Sequence, residues 1–126
     1  MYEHEIRGSK LTIRYCTGAN ESLAVAFAAI LVQSHAATKA SFKARQDYLK
    51  DRGSLRSPDQ MNTEAELPDG SKFYAIKTNQ GLRAYGWFSK KHRSVFYISH
   101  FICKKRQKLK QEDTNRVIQN WRAIEE

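Results

Sequence analysis

The stretch SHFICKKRQKLKQED, Ser99 to Asp113, joins an apolar run to a row of cations. His100 stands near the end of that run. Lys104, Lys105, Arg106, Lys108 and Lys110 follow, five cations within seven residues. An imidazole, with an ordinary pKa of about 6.5, can take or give a proton near neutral pH. Cations gathered at the end of a strand offer charge to an anion. Upstream, Lys77 adds an ammonium and Arg83 a planar fork that matches phosphate oxygens two at a time. A proton carrier beside cations is what a reaction at phosphate needs: an acid or base, and stabilisation of charge building on oxygen.

The charge distribution strengthens this reading. The 126-residue chain carries a net charge of +9. From Met1 to Asp69, nine Lys/Arg balance nine Asp/Glu. From Gly70 to Gln111 there are eleven Lys/Arg and no acid, and from Glu112 onward two Arg meet four acids. The whole excess lies in one block, which also carries the aromatic residues of several strands. Solvated surfaces normally mix signs, so a one-sign block points to a polyanion, with a solubilising face as the alternative.

Other chemistries find little support. Cys16 and Cys103 are too few for a disulfide framework. His4, His35, His92 and His100 show no metal-ligand spacing with them or with each other. No metal and no cofactor are expected. The most apolar run, LAVAFAAILV, falls short of the roughly 18–20 residues that span a bilayer, so no membrane association is expected. MYEHEIRGSK carries acids where a signal peptide would be apolar, which leads to the expectation of a cytoplasmic protein.

The elements that would position these groups can be read from periodicity. LTIRYC (Leu11 to Cys16) alternates as a strand, and YEHEI could pair with it through a Gly8-Ser9 turn. ESLAVAFAAILVQSH reads as a helix apolar nearly all round, hence buried. TKASFKARQDYLKDRG reads as a second helix, with Phe42, Ala44, Tyr48 and Leu49 inward and Gly53 as its stop. SLRSPDQMNTEAELPDGS, with Pro58 and Pro68, reads as a polar connection. KFYAIKTN, LRAYGWFS and SVFYISHFI are three strands joined by short turns, an antiparallel meander. Val117, Ile118, Trp121 and Ile124 mark a closing helix with acids in its first turn. The expectation is one α+β domain over residues 1–126. A helical hairpin packs on a small antiparallel sheet, in the order β-α-α-β-β-β-α.

FYAIKTNQGLRAYGWF, then VFYISHFICKKRQKL and an ED helix start, resembles the RelE/ParE superfamily of toxins from bacterial type II toxin–antitoxin pairs, in particular its HigB-like branch. The matching positions are Phe73, Tyr74 and Ile76, then Arg83 and Tyr85, then His100, Phe101, Lys104 and Lys105. The likeness covers Gly53 onward, while Leu11 to Arg52 matches in element order alone. It implies a compact α+β toxin, monomeric when free and silenced by a cognate antitoxin protein. Many members are endoribonucleases that cut messenger RNA on the ribosome and so inhibit translation. Others of the ParE type poison DNA gyrase. A non-catalytic nucleic-acid-binding domain is the third reading.

Metal-independent RNA cleavage uses the 2′-hydroxyl as nucleophile, with a base beside it and an acid for the leaving oxygen. The resemblance places Lys77 and Arg83 at the scissile phosphate and Lys104 and Lys105 on the RNA backbone. His100 is the candidate acid or base, its pKa pushed down among cations. Lys108, Lys90 and Lys91 extend the basic surface. Tyr85 could stack on a base or belong to the core. The chain departs from the family pattern twice. NWRAIEE lacks the His or Tyr that several such RNases bring to the site, and a glutamate base would have to be Glu64 or Glu66.

Overall fold

The computed structural model describes residues 1–56, 59–104 and 109–126. Strands β1 (Tyr2–Arg7) and β2 (Thr12–Cys16) form a hairpin through Gly8-Ser9, with Ile6 opposite Ile13. Helix α1 (Ala19–Ala28), a 3₁₀ turn (Val32–Ser34) and helix α2 (His35–Arg52) follow. Next come β3 (Met61–Glu66), β4 (Lys72–Lys77), β5 (Leu82–Phe88), β6 (Val95–Cys103) and helix α3 (Gln111–Glu125).

The strands make one sheet in the order β1-β2-β6-β5-β4-β3. β6 runs parallel to β2, and the other neighbours are antiparallel. The expected small antiparallel sheet is therefore corrected to a six-stranded mixed one. After β2 the chain crosses over through α1 and α2 to the far edge. It then builds inward by hairpins, so its last strand arrives beside β2 pointing the same way.

The polar connection also needs correction, since it contains β3. MNTEAE has no apolar alternation because β3 is an edge strand. One neighbour, β4, supplies its ladder, and Asn62, Glu64 and Glu66 suit an edge that meets water.

The first helix was expected to run to His35 and to be buried all round. It ends at Ala28, and the chain turns extended at Leu31. The His35 ring Nε2 lies 2.9 Å from the Ile30 carbonyl, where its N–H satisfies an oxygen that the broken helix leaves free. Burial is confined to one face: Ala19, Ser22 and Ala26 point in, continued by Ile30, while Val25, Leu31 and Val32 are exposed. At the other end, the Glu3 carboxylate accepts the Gly18 and Asn20 amides at 3.1 and 2.7 Å, capping α1 from β1. In α2 the buried residues are Thr38, Phe42, Gln46 and Leu49, so Ala44 and Tyr48, expected inside, face outward. Gln46 earns its place by donating to the Tyr15 hydroxyl.

The sheet carries apolar layers on both faces. Ile13, Ile76, Leu82, Phe96, Ile98 and Phe101 pack under α1 and α2. Phe73, Tyr85, Trp87 and Tyr97 pack with Val117 and Trp121 of α3. Among the described residues, no helix is long and apolar enough to cross a membrane.

Glu125 fastens α3 to the sheet. Its carboxylate accepts the Trp87 indole N–H (3.0 Å), the Ser89 hydroxyl (2.6 Å) and the Lys90 and Lys91 amides (3.1 and 2.9 Å). Burial works against its charge, but the Ser89, Trp87 and amide donors outweigh it and hold its pKa below the usual carboxylate range. This contribution is present above the unfolded value, about 4.3, and is lost as pH falls through the lower folded value. Glu125→Ala strands the Trp87 donor and should cost roughly 2 kcal/mol. Urea unfolding at pH 7 checks this, and an unchanged midpoint would show that the clamp contributes nothing.

Candidate functional site

The site grows from the end of the sheet where the β4–β5 turn meets the end of β6. Lys77, the last residue of β4, pairs in register with Arg83 of β5. Gly81 in the turn has φ +94°, a backbone that side chains other than glycine's rarely adopt. It also lets the Lys104 amide reach the Gly81 carbonyl at 2.8 Å. A Cβ on Gly81 would come within 3.1 Å of the Lys104 carbonyl oxygen. The turn therefore fixes the backbone of Lys104 beside Arg83.

These three residues line a cavity of ≈ 550 Å³ with Arg45 of α2 and with Arg56 and Asp59 of the α2–β3 connection. Among the described residues, five cations thus face one carboxylate. Arg83 and Lys104 are only 8% and 9% exposed. Arg83 enters none of the ion pairs formed among the described residues. The Lys104 ammonium and the Arg45 Nε are buried with no hydrogen-bond partner there. Gln80 Oε1, in the same turn, shares that condition. Of these groups, those of Arg45 and Lys104 belong to residues that line the cavity, where their positive charge has no hydrogen-bonded anion among the described residues. Burial, and next the charge of Arg83, lower the Lys104 pKa, against the pull of Glu64 and Asp113.

His100 lies elsewhere. A bulge in β6 sets Tyr85 opposite His100 and Gly86 opposite Ile98, leaving Ser99 as the extra residue. The bulge turns both Ser99 and His100 toward α3. Asn120 Nδ2 donates to Ser99 Oγ at 2.8 Å. Ser99 Oγ lies 2.8 Å from His100 Nδ1, and His100 Nε2 lies 3.0 Å from Asp113 Oδ1. The Asp113 carboxylate can only accept, so Nε2 carries a ring proton and donates to it; in the neutral ring that burial favours, Nδ1 accepts from the Ser99 hydroxyl.

The ring is 1% exposed, with both nitrogens engaged. It positions α3 against β6 and is closed to a ligand in the cation cavity. Burial lowers its pKa, opposed by the Asp113 hydrogen bond, and the Arg116 charge adds to the lowering. A histidine held neutral stabilises the fold fully above its unfolded pKa, about 6.5, and progressively less as pH falls toward the folded value. An NMR titration of the His100 ring should find a midpoint below the ordinary histidine value. A midpoint at the ordinary value would contradict the enclosed geometry.

The other expected site residues separate. Tyr85 is fully buried between Phe73 and His100, its hydroxyl unpaired among the described residues, so it belongs to the core and presents no face for a base. Burial, with the Asp113 and Glu64 charges, raises its pKa. Lys90 and Lys91 sit on the β5–β6 turn at the opposite end of the sheet. There their amides hold Glu125, and the Lys90 ammonium pairs with Asp69 at 3.2 Å. Glu66 pairs with Lys72 at 2.7 Å. Glu64 lies on β3, accepts from Asn62 at 2.8 Å, and its charge reaches Tyr85 and Lys104. Lys105 and Lys108 lie outside the described residues.

Arg45, Arg56 and Asp59 were not expected at the site. They fall in the charge-balanced part of the chain, where nothing in type or spacing sets them apart. No protein-family model, curated protein or solved structure matches the chain.

Proposed function

We propose that this protein is the toxin of a type II toxin–antitoxin pair, a RelE/ParE-like, metal-independent endoribonuclease that cuts messenger RNA on the ribosome. Its partners are then a cognate antitoxin protein and the ribosome-bound messenger. The observation that carries this reading is the convergence of Lys77, Arg83 and Lys104, from three separate segments, on one cavity, the Lys104 ammonium being buried and without a hydrogen-bond partner among the described residues. In this reading the scissile phosphate sits among those three cations. The 2′-oxygen bonds to phosphorus, the 5′-oxygen leaves, and the cations stabilise the extra charge on the phosphorane oxygens.

Proton transfer falls to groups that line the cavity, since His100 is enclosed. Asp59, the carboxylate of the wall, takes the 2′-hydroxyl proton. Lys104, whose surroundings make it a stronger acid than an ordinary lysine, gives one to the leaving oxygen. The product ends are a cyclic phosphate and a 5′-hydroxyl.

The enclosure of His100 and Tyr85 favours a second reading, a nucleic-acid-binding domain without cleavage. Primer extension on a defined messenger in a purified bacterial translation system separates the two. Ribosome-dependent cuts that leave a cyclic phosphate and a 5′-hydroxyl support the nuclease. Salt-steep RNA binding without cuts supports the binding domain. Intact messenger together with inhibited gyrase supercoiling would overturn both.

A further inference from the structure

The reading above uses three of the five cations in the cavity and leaves Arg45 and Arg56 without a task. Arg45 comes from α2, and Arg56 comes from the α2–β3 connection, whose Gln60 carbonyl accepts the Lys77 amide at 2.9 Å, so Arg56 borders the end of the sheet while Arg45 reaches the cavity from the helix. A single phosphodiester carries one negative charge. Against five cations and one carboxylate, it would leave most of the positive charge in a partly enclosed space unmatched, which is costly where solvent is scarce.

The orphan groups divide in the same way. Lys104 Nζ is unpartnered on the sheet side and Arg45 Nε on the helix side, among the described residues. Arg45 Nη1 donates to Ser41 Oγ at 3.2 Å, which orients the guanidinium while leaving Nε unused. A volume of ≈ 550 Å³ lies within the range of about 300–1,000 Å³ typical of small-ligand pockets, ample for more than one phosphate group.

We propose that Arg45 and Arg56 form a second phosphate subsite, so that the cavity grips two consecutive phosphates of a single RNA strand. This rests on RNA being the occupant. The subsite fixes the direction in which the strand crosses the end of the sheet, and it selects an extended strand over an isolated phosphate. Arg56 is exposed and Arg45 half-buried, so Arg56 is the member of the pair that a strand meets first.

The test is a binding interference measurement that needs no cleavage. A fluorescent 2′-O-methyl oligoribonucleotide, which lacks the attacking hydroxyl, is made with one phosphate at a time replaced by an uncharged methylphosphonate. Fluorescence anisotropy then gives Kd for wild type and for the Arg45→Gln/Arg56→Gln variant across a salt series. Two adjacent sensitive positions are expected in wild type and one in the double variant. The log–log salt slope should become shallower by about 0.7. Arg45→Lys/Arg56→Lys, which restores charge, should recover most of that slope, and thermal melting confirms that each variant is folded.

One sensitive position in wild type, or two in the double variant, overturns the subsite while leaving RNA binding in place. Absence of binding at low salt overturns the subsite and RNA occupancy together. Two sensitive positions without any ribosome-dependent cutting support the subsite and sink only the nuclease.

Discussion

Arg83→Ala is expected to lower ribosome-dependent messenger cleavage by about 10²–10³-fold, the usual loss when one preorganised donor to a developing oxyanion is removed. Two observations make this the largest functional effect. Arg83 is held by its strand, in register with Lys77, so its guanidinium needs little ordering before reaction. It is also buried beside Lys104 and enters no ion pair among the described residues, so it has no evident structural task. Removing one of two neighbouring buried cations relieves repulsion, and the variant should melt no lower than wild type. Primer extension at equal concentrations of folded protein measures the loss. Full cleavage by Arg83→Ala would remove it from the mechanism, and a collapsed melting temperature would show that Arg83 is structural after all.

The largest effect on stability should come from Gly86→Ala. Gly86 lies within β5, opposite Ile98 and next to the bulge. A Cβ there would lie 2.3 Å from the Tyr97 carbonyl oxygen and 2.6 Å from the Phe96 ring. The first contact is backbone in the adjacent strand, which cannot swing aside as a flexible side chain would. Either β5 and β6 part or the bulge moves, and both apolar layers lose their register. A cost of roughly 3 kcal/mol or more is expected, above that of most overpacking changes. Urea unfolding, or failure to recover soluble protein, reports it. A near-native midpoint would mean that the two strands are spaced differently.

The meander of β4, β5 and β6 was readable because its strands alternate and its turns are short. Phe73 and Ala75 do share a face, as do Arg83, Tyr85 and Trp87. The β1–β2 hairpin was readable from the Gly8-Ser9 turn. What escaped was decided by context. β3 is a strand because β4 offers it an edge, and nothing local in MNTEAE demands it. Tyr48 looked apolar and faces water, while the polar Gln46 is buried because Tyr15 waits for its amide.

The candidate site divided along the same line. Lys77, Arg83 and Lys104 lie on or beside recognisable strands, and the structure brings them together. His100 was found as a chemical residue, but its enclosure depends on a one-residue bulge and on Asp113 and Asn120 of α3. No spacing rule announces such a bulge. Arg45 and Arg56 reach the cavity only through the crossover, which brings a charge-balanced helix to the end of a basic sheet.

The parallel contact between β2 and β6 has a bearing on how the chain is made. Thr12 pairs opposite Val95, so the hairpin formed first has no sheet to join until nearly all the strands have been synthesised. Closing so wide a loop costs entropy before any contact repays it, and folds of such high contact order form slowly. Synthesis runs from the N-terminus, so the final strand enters between two edges already formed. Lys104 follows directly after that strand, so a nascent chain has no cation cavity. The capacity to bind an anion arises late and in one cooperative event, when the sheet closes.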